Sequence, residues 1–422
     1  MRNEVIFDDR GRPDILVVFT PDELKLPDTL KGRKVKEYAI SKYPNTMIDG
    51  RPYSLPFMPP AVNVNHDEAI RLCEAKGPGW HLITNDEWAA LARQSWENDT
   101  VPTGNTNSGK SHSHPEQKGT TYQNSYGKTL TGSGPIEWNH DRTAEGVADM
   151  VGNVWEHVGG VRFLNGQVQI IPNNEAAAGA DQSPDSKEWT AIYTPDGDPV
   201  YYNVKDGEIV LQPTAPDGKD YDGVPFCDLH ERADMDVPDK LIELGLYPAP
   251  DYESEEYFWL DTDGERCVFR GGLWGSGTSA GVFCLNGGNS RSHGRHAPRL
   301  PLRFSPVLWR LWRSGSSGRR RETEPERQSR KLALPSAGHA AGSREAHAHQ
   351  SADGDLHSRR RQGSTHIREN GIQRQRRRNQ GDAADRFTAG TAQHSSQRHE
   401  AGVRADKARH DNLDHDQKGG RP

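Results

Sequence analysis

The apolar positions of the first three hundred residues form short runs that are separated by long polar stretches. The continuous apolar run Asp14–Phe19 predicts a strand, and Pro21–Leu24 follows it as the start of a brief helix. Apolar residues recur at helical spacing over Asn65–Lys76, which predicts an amphipathic helix with an asparagine N-cap. Thr84 and Glu87 form a capping-box pattern, so a second helix is expected to begin there.

The polar stretches carry local signals of their own. Residues 96–134 are rich in Asn, Ser, Thr and Gly and predict a long surface loop. Strand-like alternation over Val161–Ile171 is interrupted by Asn165-Gly166, which favours a type I′ turn and predicts a hairpin. Residues 172–265 are mostly polar, with a helix predicted near 239–246.

The stretch Phe269–His293 fits neither a helical period nor a regular strand alternation. Its glycines allow the backbone to turn, so it predicts a loop with short strand segments. It carries no acid, base or nucleophile in a catalytic arrangement, which indicates a recognition surface on a rigid frame. The residues expected to anchor this loop against a core are Trp274, Gly281, Val282, Phe283 and Leu285.

Two further motifs precede this stretch in the chain. Pro60-Ala61-Val62 leads to Trp80–Trp88, and Asp149–Glu156 reads Asp-Met-Val-Gly-Asn-Val-Trp-Glu. Together with Phe269–His293, and in this order, these motifs resemble the formylglycine-generating enzyme (sulfatase-modifying factor) family. The resemblance implies an α+β fold with a C-type-lectin-like domain. Phe269–His293 is more similar still to the variable proteins of diversity-generating retroelements, which use the same fold to display mutable side chains.

The resemblance divides the chain into three parts. Residues 1–42 are expected to be an N-terminal extension, and residues 43–304 the C-type-lectin-like domain. The interval of about 163–266 matches the family poorly and is expected to be an insertion. Residues 305–422 are an Arg-rich tail with few apolar residues, and such a composition predicts disorder.

The charge of the chain changes sign along its length. Residues 1–304 carry 29 Lys and Arg against 46 Asp and Glu, whereas residues 305–422 carry 24 against 14. Three interpretations of this basic tail are open: a charged and solvated extension, a nucleic-acid-binding arm, and the product of a frameshift. Nucleic-acid binding is disfavoured because the tail has neither aromatic interleaving nor a folded motif.

A frameshift would also affect the end of the domain. The resemblance implies an apolar closing strand soon after the variable stretch, but the chain has Ala297–Phe304 there, with two prolines. Proline is poorly tolerated in a central strand because it cannot donate to the ladder. We therefore expect the closing core strand to be missing if the reading frame is lost near this point.

Cysteine usage and the first residues bear on the compartment. Cys73, Cys227, Cys267 and Cys284 show neither a CxxC pattern nor metal-ligand spacing, which indicates a reducing compartment or free buried thiols. The N-terminus lacks the apolar core of a signal peptide, and no run approaches membrane-spanning length. We expect cytoplasmic synthesis without a signal peptide or membrane span, followed by association with a virion.

The motif Asp149–Glu156 is a candidate calcium site. In the formylglycine-generating enzymes the corresponding motif supplies two side chains and two backbone carbonyls to calcium. Carried over residue by residue, the resemblance implies the ligands Asp149, Gly152, Val154 and Glu156. Oxygen ligands suit a hard cation such as calcium. The alternative is a structural turn in which Asn153 and Glu156 satisfy buried backbone groups.

Catalysis is disfavoured by the cysteine pattern. The enzymes of this fold hold copper with two cysteines four residues apart, and this chain has Cys284 alone in that region. A soft Cu(I) site needs two such thiolates, so we expect a non-enzymatic protein. The alternatives are a formylglycine-generating-type oxidoreductase and a structural phage protein without diversification.

The resemblance to the retroelement proteins implies a phage- or prophage-encoded ligand-binding or display protein with a variable face at about 273–296. Its partner would be an unidentified protein or surface ligand, and the reverse transcriptase would act on the gene rather than on the protein. Randomised adenines readily yield the residue types found at Leu273, Gly275, Ser276, Cys284, Gly287, Gly288, His293 and Arg295. These residues, together with Thr278, Asn286 and His296, are the candidate ligand-binding residues.

Overall fold

The structure is a computed structural model that describes residues 1–293 and the backbone of 302–304 and 306–311. The chain divides into two units, residues 1–321 and 322–422, and the whole second unit lies outside the described residues. The described part is rich in strands and has few helices. Its helices are α1 (Pro21–Leu24), α2 (His66–Glu74), α3 (Asn85–Glu97) and α4 (Asp239–Glu243).

The strands are β1 (Arg2–Phe7), β2 (Pro13–Phe19), β3 (Thr29–Leu30), β4 (Arg33–Ser41), β5 (Asn45–Ile48), β6 (Arg51–Ser54), β7 (Trp80–Leu82), β8 (Trp155–Leu164), β9 (Gln167–Ile170), β10 (Thr190–Ala191), β11 (Tyr201–Lys205), β12 (Glu208–Gln212), β13 (Tyr221–Pro225), β14 (His230–Glu231), β15 (Tyr257–Asp261), β16 (Glu265–Arg270), β17 (Leu285–Asn289), β18 (Leu302–Phe304) and β19 (Pro306–Leu311).

The N-terminal strands belong to a six-stranded sheet. Its order is β1-β2-β4-β19-β7, with β3 paired to β4. Ile40 of β4 is the partner of Val17 in β2 and of Val307 in β19, so β4 is an interior strand. The boundary that the sequence predicts between residues 42 and 43 therefore falls just after an interior strand, and residues 1–42 are part of the sheet rather than an appendage.

The closing strands are present, which corrects the expectation from the prolines. Leu302–Phe304 pairs in parallel with β8, and Pro306–Leu311 pairs with both β4 and β7. Pro306 is the first residue of its strand, where the missing N–H is tolerated, and Pro298 and Pro301 precede both strands. Strand β19 also lies inside the range predicted as a disordered tail, so that prediction is wrong for 306–311. Residues 312–422, to which the prediction also applies, lie outside the described residues.

The larger sheet has eleven strands in the described residues. Its path is β13-β15-β17-β16-β8-β9-β11-β12-β14, with β10 paired to β9 and β18 to β8. The predicted hairpin is confirmed, since β8 and β9 flank Asn165 (φ 50°) and Gly166 (φ 78°). Strands β9 to β15 come from the interval predicted as an insertion. They extend the same sheet and contribute fully buried side chains such as Tyr202 and Phe258 to its core, so the interval is integral to the fold.

The helix predictions are confirmed at their caps. The Asn65 side chain accepts a hydrogen bond from the Glu68 N–H at 2.9 Å at the start of α2. Thr84 and Glu87 form both hydrogen bonds of a capping box at the start of α3, which runs to Glu97. None of the helices in the described part of the chain has the length and apolar content needed to cross a membrane.

Candidate functional site

A buried arginine holds the frame behind the predicted ligand loop. Arg270 ends β16 and is fully buried. Its guanidinium donates to the Asn85 side chain at 2.7 and 3.1 Å and to the carbonyls of Leu244, Gly245 and Phe283 at 3.0–3.1 Å. Burial lowers the pKa of Arg270 to about 10, so the group stays charged at neutral pH. The arginine thus ties β16, α3, the α4 region and the loop together.

A buried glutamate supports the same loop from the other side. The Glu256 Oε2 accepts the backbone N–H groups of Phe283 and Cys284, each at 2.8 Å. Its Oε1 accepts the Ser254 hydroxyl at 3.1 Å and the Tyr252 hydroxyl. Burial raises the pKa of Glu256, while these four hydrogen bonds oppose the rise. The carboxylate fixes the backbone immediately before β17.

The apolar anchors complete this attachment. The Trp88 indole N–H donates to the Val282 carbonyl at 2.7 Å. The Phe283 ring lies parallel to Phe226 with centroids 5.8 Å apart and edge-on to Tyr252 at 4.7 Å. Val282, Phe283 and Leu285 are buried, as the sequence predicts for anchors. Residues 282–285 are therefore part of the core rather than of a mobile loop.

The exposed part of the loop lies at residues 273–279 and packs against the long polar loop. Trp274 is half-buried. Its backbone N–H donates to the Asn153 carbonyl, and its backbone carbonyl accepts the Ser108 N–H at 2.7 Å. A Cβ added to Gly127 would come within 2.5 Å of the Trp274 ring, so the indole lies directly over that glycine. Trp274 thus anchors the loop by covering a neighbouring loop, not by entering the core.

Three adjacent strands present a second surface beside this loop. In β13, β15 and β17 the residues Gly223, Trp259 and Asn286 are paired side by side. Phe258 and Leu260 point into the core, so the alternation of β15 places Tyr257 and Trp259 on the opposite side, where both are half-exposed. We call the outward side of β13, β15 and β17 the outer face.

The outer face is aromatic. The Trp259 ring lies 5.2 Å from Tyr257 and meets the buried Trp155 edge-on at 5.7 Å. A Cβ on Gly223 would come within 2.0 Å of the Trp259 ring, and one on Gly288 within 2.6 Å of the Tyr221 ring. The two glycines therefore make room for rings that cover the neighbouring strand. Tyr221 is 53% exposed.

Sequence reasoning missed Tyr221, Tyr257 and Trp259. They lie in the interval predicted as an insertion. Their neighbours in the sheet depend on the register between strands that are distant in sequence, and no local pattern shows that register. One signal was present: Tyr257-Phe258-Trp259-Leu260 alternates between rings that face outward and apolar residues that face inward.

The structure brings part of the predicted ligand set to this surface. Gly275 and Thr278 are exposed, and Leu273, Ser276, Asn286 and Gly288 are half-exposed. His293 is also half-exposed, but the structure places it near the buried His157. Leu273 and Trp259 both pack against the buried cluster of Trp155, Phe269 and Cys284, which connects the loop to the outer face. Arg295 and His296 lie outside the described residues.

Two predicted ligand residues are buried, which corrects that part of the set. Cys284 has no exposed surface and packs against Trp155 and Phe269. Gly287 faces the core, where an added Cβ would come within 2.8 Å of the Phe163 ring. Neither position can present a variable side chain to a ligand in this fold.

Cys284 also lacks the features of a metal or redox thiol. Burial raises its pKa well above the usual thiol value, and the negative charge of Glu256 raises it further. In the residues that the structure describes, all four cysteines are free, and no three His, Cys, Asp or Glu side chains are grouped so as to hold a metal ion.

The motif Asp149–Glu156 forms a tight turn that leads into β8. Asp149, Gly152 and Asn153 all have φ between 60° and 72°. The Asn153 Oδ1 accepts the Thr129 N–H at 2.9 Å, and its Nδ2 donates to the Thr129 carbonyl at 3.2 Å. This is the role that the structural-turn interpretation assigns to Asn153.

The predicted calcium ligands Asp149, Gly152 and Val154 belong to that turn, and Glu156 lies in β8. Asp149 and Glu156 are buried, and carboxylate and carbonyl oxygens are the donor types that a hard cation takes. The Asp149 Oδ2 already accepts the Gly132 N–H at 2.7 Å, and the Gly152 carbonyl accepts the Val154 N–H at 2.8 Å. The donor types fit calcium, while two of the oxygens already support the turn itself.

The comparison with known families bears on the part of the chain before the outer face. Residues 32–161 match the sulfatase-modifying factor enzyme 1-like domain. The match begins at β4 and ends within β8, so β13, β15 and β17 lie beyond it. No curated protein sequence matches the chain. The domain match agrees with the resemblance carried by Trp80–Trp88 and Asp149–Glu156, and it does not cover the outer face.

Proposed function

We propose that this protein binds a ligand without transforming it, through the outer face of β13, β15 and β17 and the adjoining loop 273–279. The observation that carries the proposal is the contrast across one short segment. Residues 282–285 are fixed by Trp88, Glu256 and Arg270, whereas Gly275 and Thr278 a few residues earlier are exposed. A rigid frame beside exposed, small and polar side chains allows substitution without loss of order.

The composition of the surface supports the same conclusion. Tyrosine and tryptophan supply large contact areas at low entropic cost, and asparagine, serine and glycine supply adaptable polar contacts. The outer face and loop combine these types in Tyr221, Tyr257, Trp259, Asn286 and Ser276. An interface with this mixture suits recognition of another molecule better than catalysis.

In its finer form the proposal is that the fold is C-type-lectin-like and that the exposed positions of 273–296 are diversified by a retroelement in a phage or prophage. The protein would then be made in the cytoplasm and carried on a virion. The decisive observation would be a near-copy of these codons that differs at adenines and lies beside a reverse-transcriptase gene. A neighbourhood without such a copy would refute the diversification and leave the binding proposal in place.

The binding proposal is tested with a random-peptide display library panned on the full chain. The face variant combines Tyr257→Ser with Thr278→Ala, and the control variant combines Tyr193→Ser with Thr190→Ala, which are exposed residues at and beside β10. We expect selected peptides to bind the control as tightly as the wild type and the face variant at least 10-fold more weakly, with equal melting temperatures. Peptides that bind all three proteins equally would overturn the proposal.

The rival function is oxidation of a thiol substrate in the manner of formylglycine-generating enzymes. Its test is a copper titration followed by an oxidation assay on a thiol-bearing peptide. Cys284 is buried and has no second cysteine four residues away to share a copper ion, so we expect no turnover. Turnover that is abolished by Cys284→Ala would refute the non-enzymatic proposal.

A further inference from the structure

The outer face is bordered by unpaired acidic side chains. The segment that leads into β15 carries Asp251, Glu253 and Glu255, all exposed, and none of them forms an ion pair within the described part of the chain. Glu255 continues the outward side of β15, because it precedes Tyr257 by two residues and the buried Glu256 lies between them. The outward side of this segment therefore carries a carboxylate, a phenol and an indole in succession.

The charge of the surrounding sequence has the same sign. Residues 217–263 contain 15 Asp and Glu against three Lys and Arg. All three cations are ion-paired within the region or with a neighbour: Lys219 with Asp263, Arg232 with Asp234, and Lys240 with Glu243 and Asp86. Arg266, in the adjacent part of the sheet, is likewise paired, with Asp261 at 2.6 Å. The field at the outer face is therefore negative.

Aromatic rings in a negative field recognise cations. A guanidinium group stacks on the face of tryptophan or tyrosine and is attracted by the ring quadrupole, and a carboxylate beside the ring adds a charge-assisted hydrogen bond. With centroids 5.2 Å apart and planes 31° from parallel, the rings of Tyr257 and Trp259 are too close to lie side by side, so they pack against each other as an offset stack. Both rings are half-exposed, so this stack, which we call the platform, leaves ring surface open to a cation. Glu255 precedes Tyr257 by two residues.

We infer that the outer face takes an arginine-bearing segment of a partner polypeptide, with a guanidinium against the exposed ring surface of the Tyr257–Trp259 stack and paired with Glu255. This inference rests on the proposed binding function and names the class of partner. It also assigns different roles to the two parts of the surface. The platform in β15 binds the cation of any arginine-bearing partner, whereas the loop 273–279 and Asn286 lie beside it and determine which partner is preferred.

The test uses a fluorescein-labelled 12-residue peptide with four arginines separated by glycine and serine, and the same peptide with citrulline at those four positions. Citrulline keeps the shape of arginine and removes its charge. Fluorescence anisotropy with the full chain at 50 and 150 mM salt should show binding of the arginine peptide, at least 10-fold weaker binding of the citrulline peptide, and weaker binding at the higher salt.

Variants separate the platform from the general acidity of the protein. Tyr257→Ser, which removes no charge, and Glu255→Gln should each weaken the arginine peptide at least fivefold. Glu188→Gln removes one exposed carboxylate elsewhere and should change nothing. Equal effects of Glu255→Gln and Glu188→Gln, or no effect of Tyr257→Ser, would overturn the inference. If the random library instead yields neutral or acidic peptides that bind the face variant more weakly than the wild type, the proposed binding function is supported and an arginine-bearing partner is refuted.

Discussion

The Glu256 carboxylate accepts the backbone N–H of Phe283 at 2.8 Å, across 27 residues of sequence. The same oxygen accepts the N–H of Cys284, and Gly281 is required beside it, because a Cβ there would come within 1.9 Å of that oxygen. A residue outside the matched domain therefore holds the end of the ligand loop in place. Glu256 thus adds to the hydrogen bonds that Trp88 and Arg270 make to the same stretch.

Replacing this side chain should loosen the loop. Glu256→Gln keeps the size of the side chain but cannot accept both backbone N–H groups and both hydroxyls as the carboxylate does. We expect a loss of about 1–3 kcal/mol in the free energy of unfolding, the usual cost of leaving buried hydrogen-bonding groups unsatisfied. Urea denaturation measures it, with the exposed Glu253→Gln as the control that should stay within about 0.5 kcal/mol of the wild type. Equal stability of the two variants would contradict this role.

The glycines of the ligand stretch should differ sharply in their tolerance of a side chain. Gly287→Ala places a methyl group against the Phe163 ring and Leu260, so we expect destabilisation of about 1–3 kcal/mol from overpacking. Gly275→Ala adds a methyl at an exposed position where the nearest atom lies at 3.5 Å, and it should be nearly neutral. Thermal melting of the two variants decides the matter. A tolerated Gly287→Ala would restore that position to the set of variable residues.

Calcium distinguishes the two interpretations of the Asp149–Glu156 turn. A bound cation that prefers the folded protein raises the melting temperature by mass action, so a calcium site predicts a higher value with 1 mM calcium than with a chelator, and loss of that difference in Glu156→Gln. A structural turn predicts identical curves for the wild type in calcium and chelator. In that case Asn153→Ala should still destabilise, because Thr129 loses both hydrogen bonds to the Asn153 side chain.

Local signals predicted the local elements well. Asn65, Thr84 and Glu87 cap helices through hydrogen bonds to residues three positions away, and Asn165-Gly166 forms its turn without help from the rest of the chain. These features are set by backbone geometry over four or five residues, so a single sequence shows them.

Long-range pairing was beyond the reach of those signals. Strand β4 is interior only because β19 pairs with it from the far end of the described chain, and the outer face exists only because Gly223, Trp259 and Asn286 fall in register. The burial of Cys284 likewise follows from the packing of Trp155 and Phe269 around it. In each case the deciding neighbour is distant in sequence, and no periodicity reports it.

Two buried histidines lie together where α2 meets β8. The rings of His66 and His157 have centroids 5.7 Å apart, and the His157 Nε2–H donates to the Val64 carbonyl at 2.8 Å. The Nδ1 atoms of both rings are buried without a partner in the described residues. Among the described residues, the other charged or titratable groups that act on the pair are Arg291 and His293, and neither is a carboxylate that would stabilise a positive charge.

This arrangement predicts a specific loss of stability in acid. Burial lowers the pKa of His157 to about 4 and that of His66 well below its ordinary value of 6.5. Below about pH 6.5 the histidines of the unfolded chain are therefore protonated while His66 and His157 of the folded chain stay neutral. The folded state loses stability relative to the unfolded state as the pH falls from 6.5 towards 4. At about 1.4 kcal/mol per pH unit, His157 alone accounts for roughly 3 kcal/mol over that range.

Other groups titrate in the same window, so the comparison must be between variants. Glu256, for example, has a raised pKa and favours the folded state in acid, which opposes the histidines. His157→Gln can keep the hydrogen bond to Val64 and cannot be protonated. We expect it to be less stable than the wild type at pH 7.5, because it packs less well against Phe269. The difference should shrink by about 1–3 kcal/mol at pH 4.5 in urea denaturation. The exposed His230→Gln is the control for removing a histidine elsewhere, and parallel profiles for wild type and His157→Gln would refute the lowered pKa of His157.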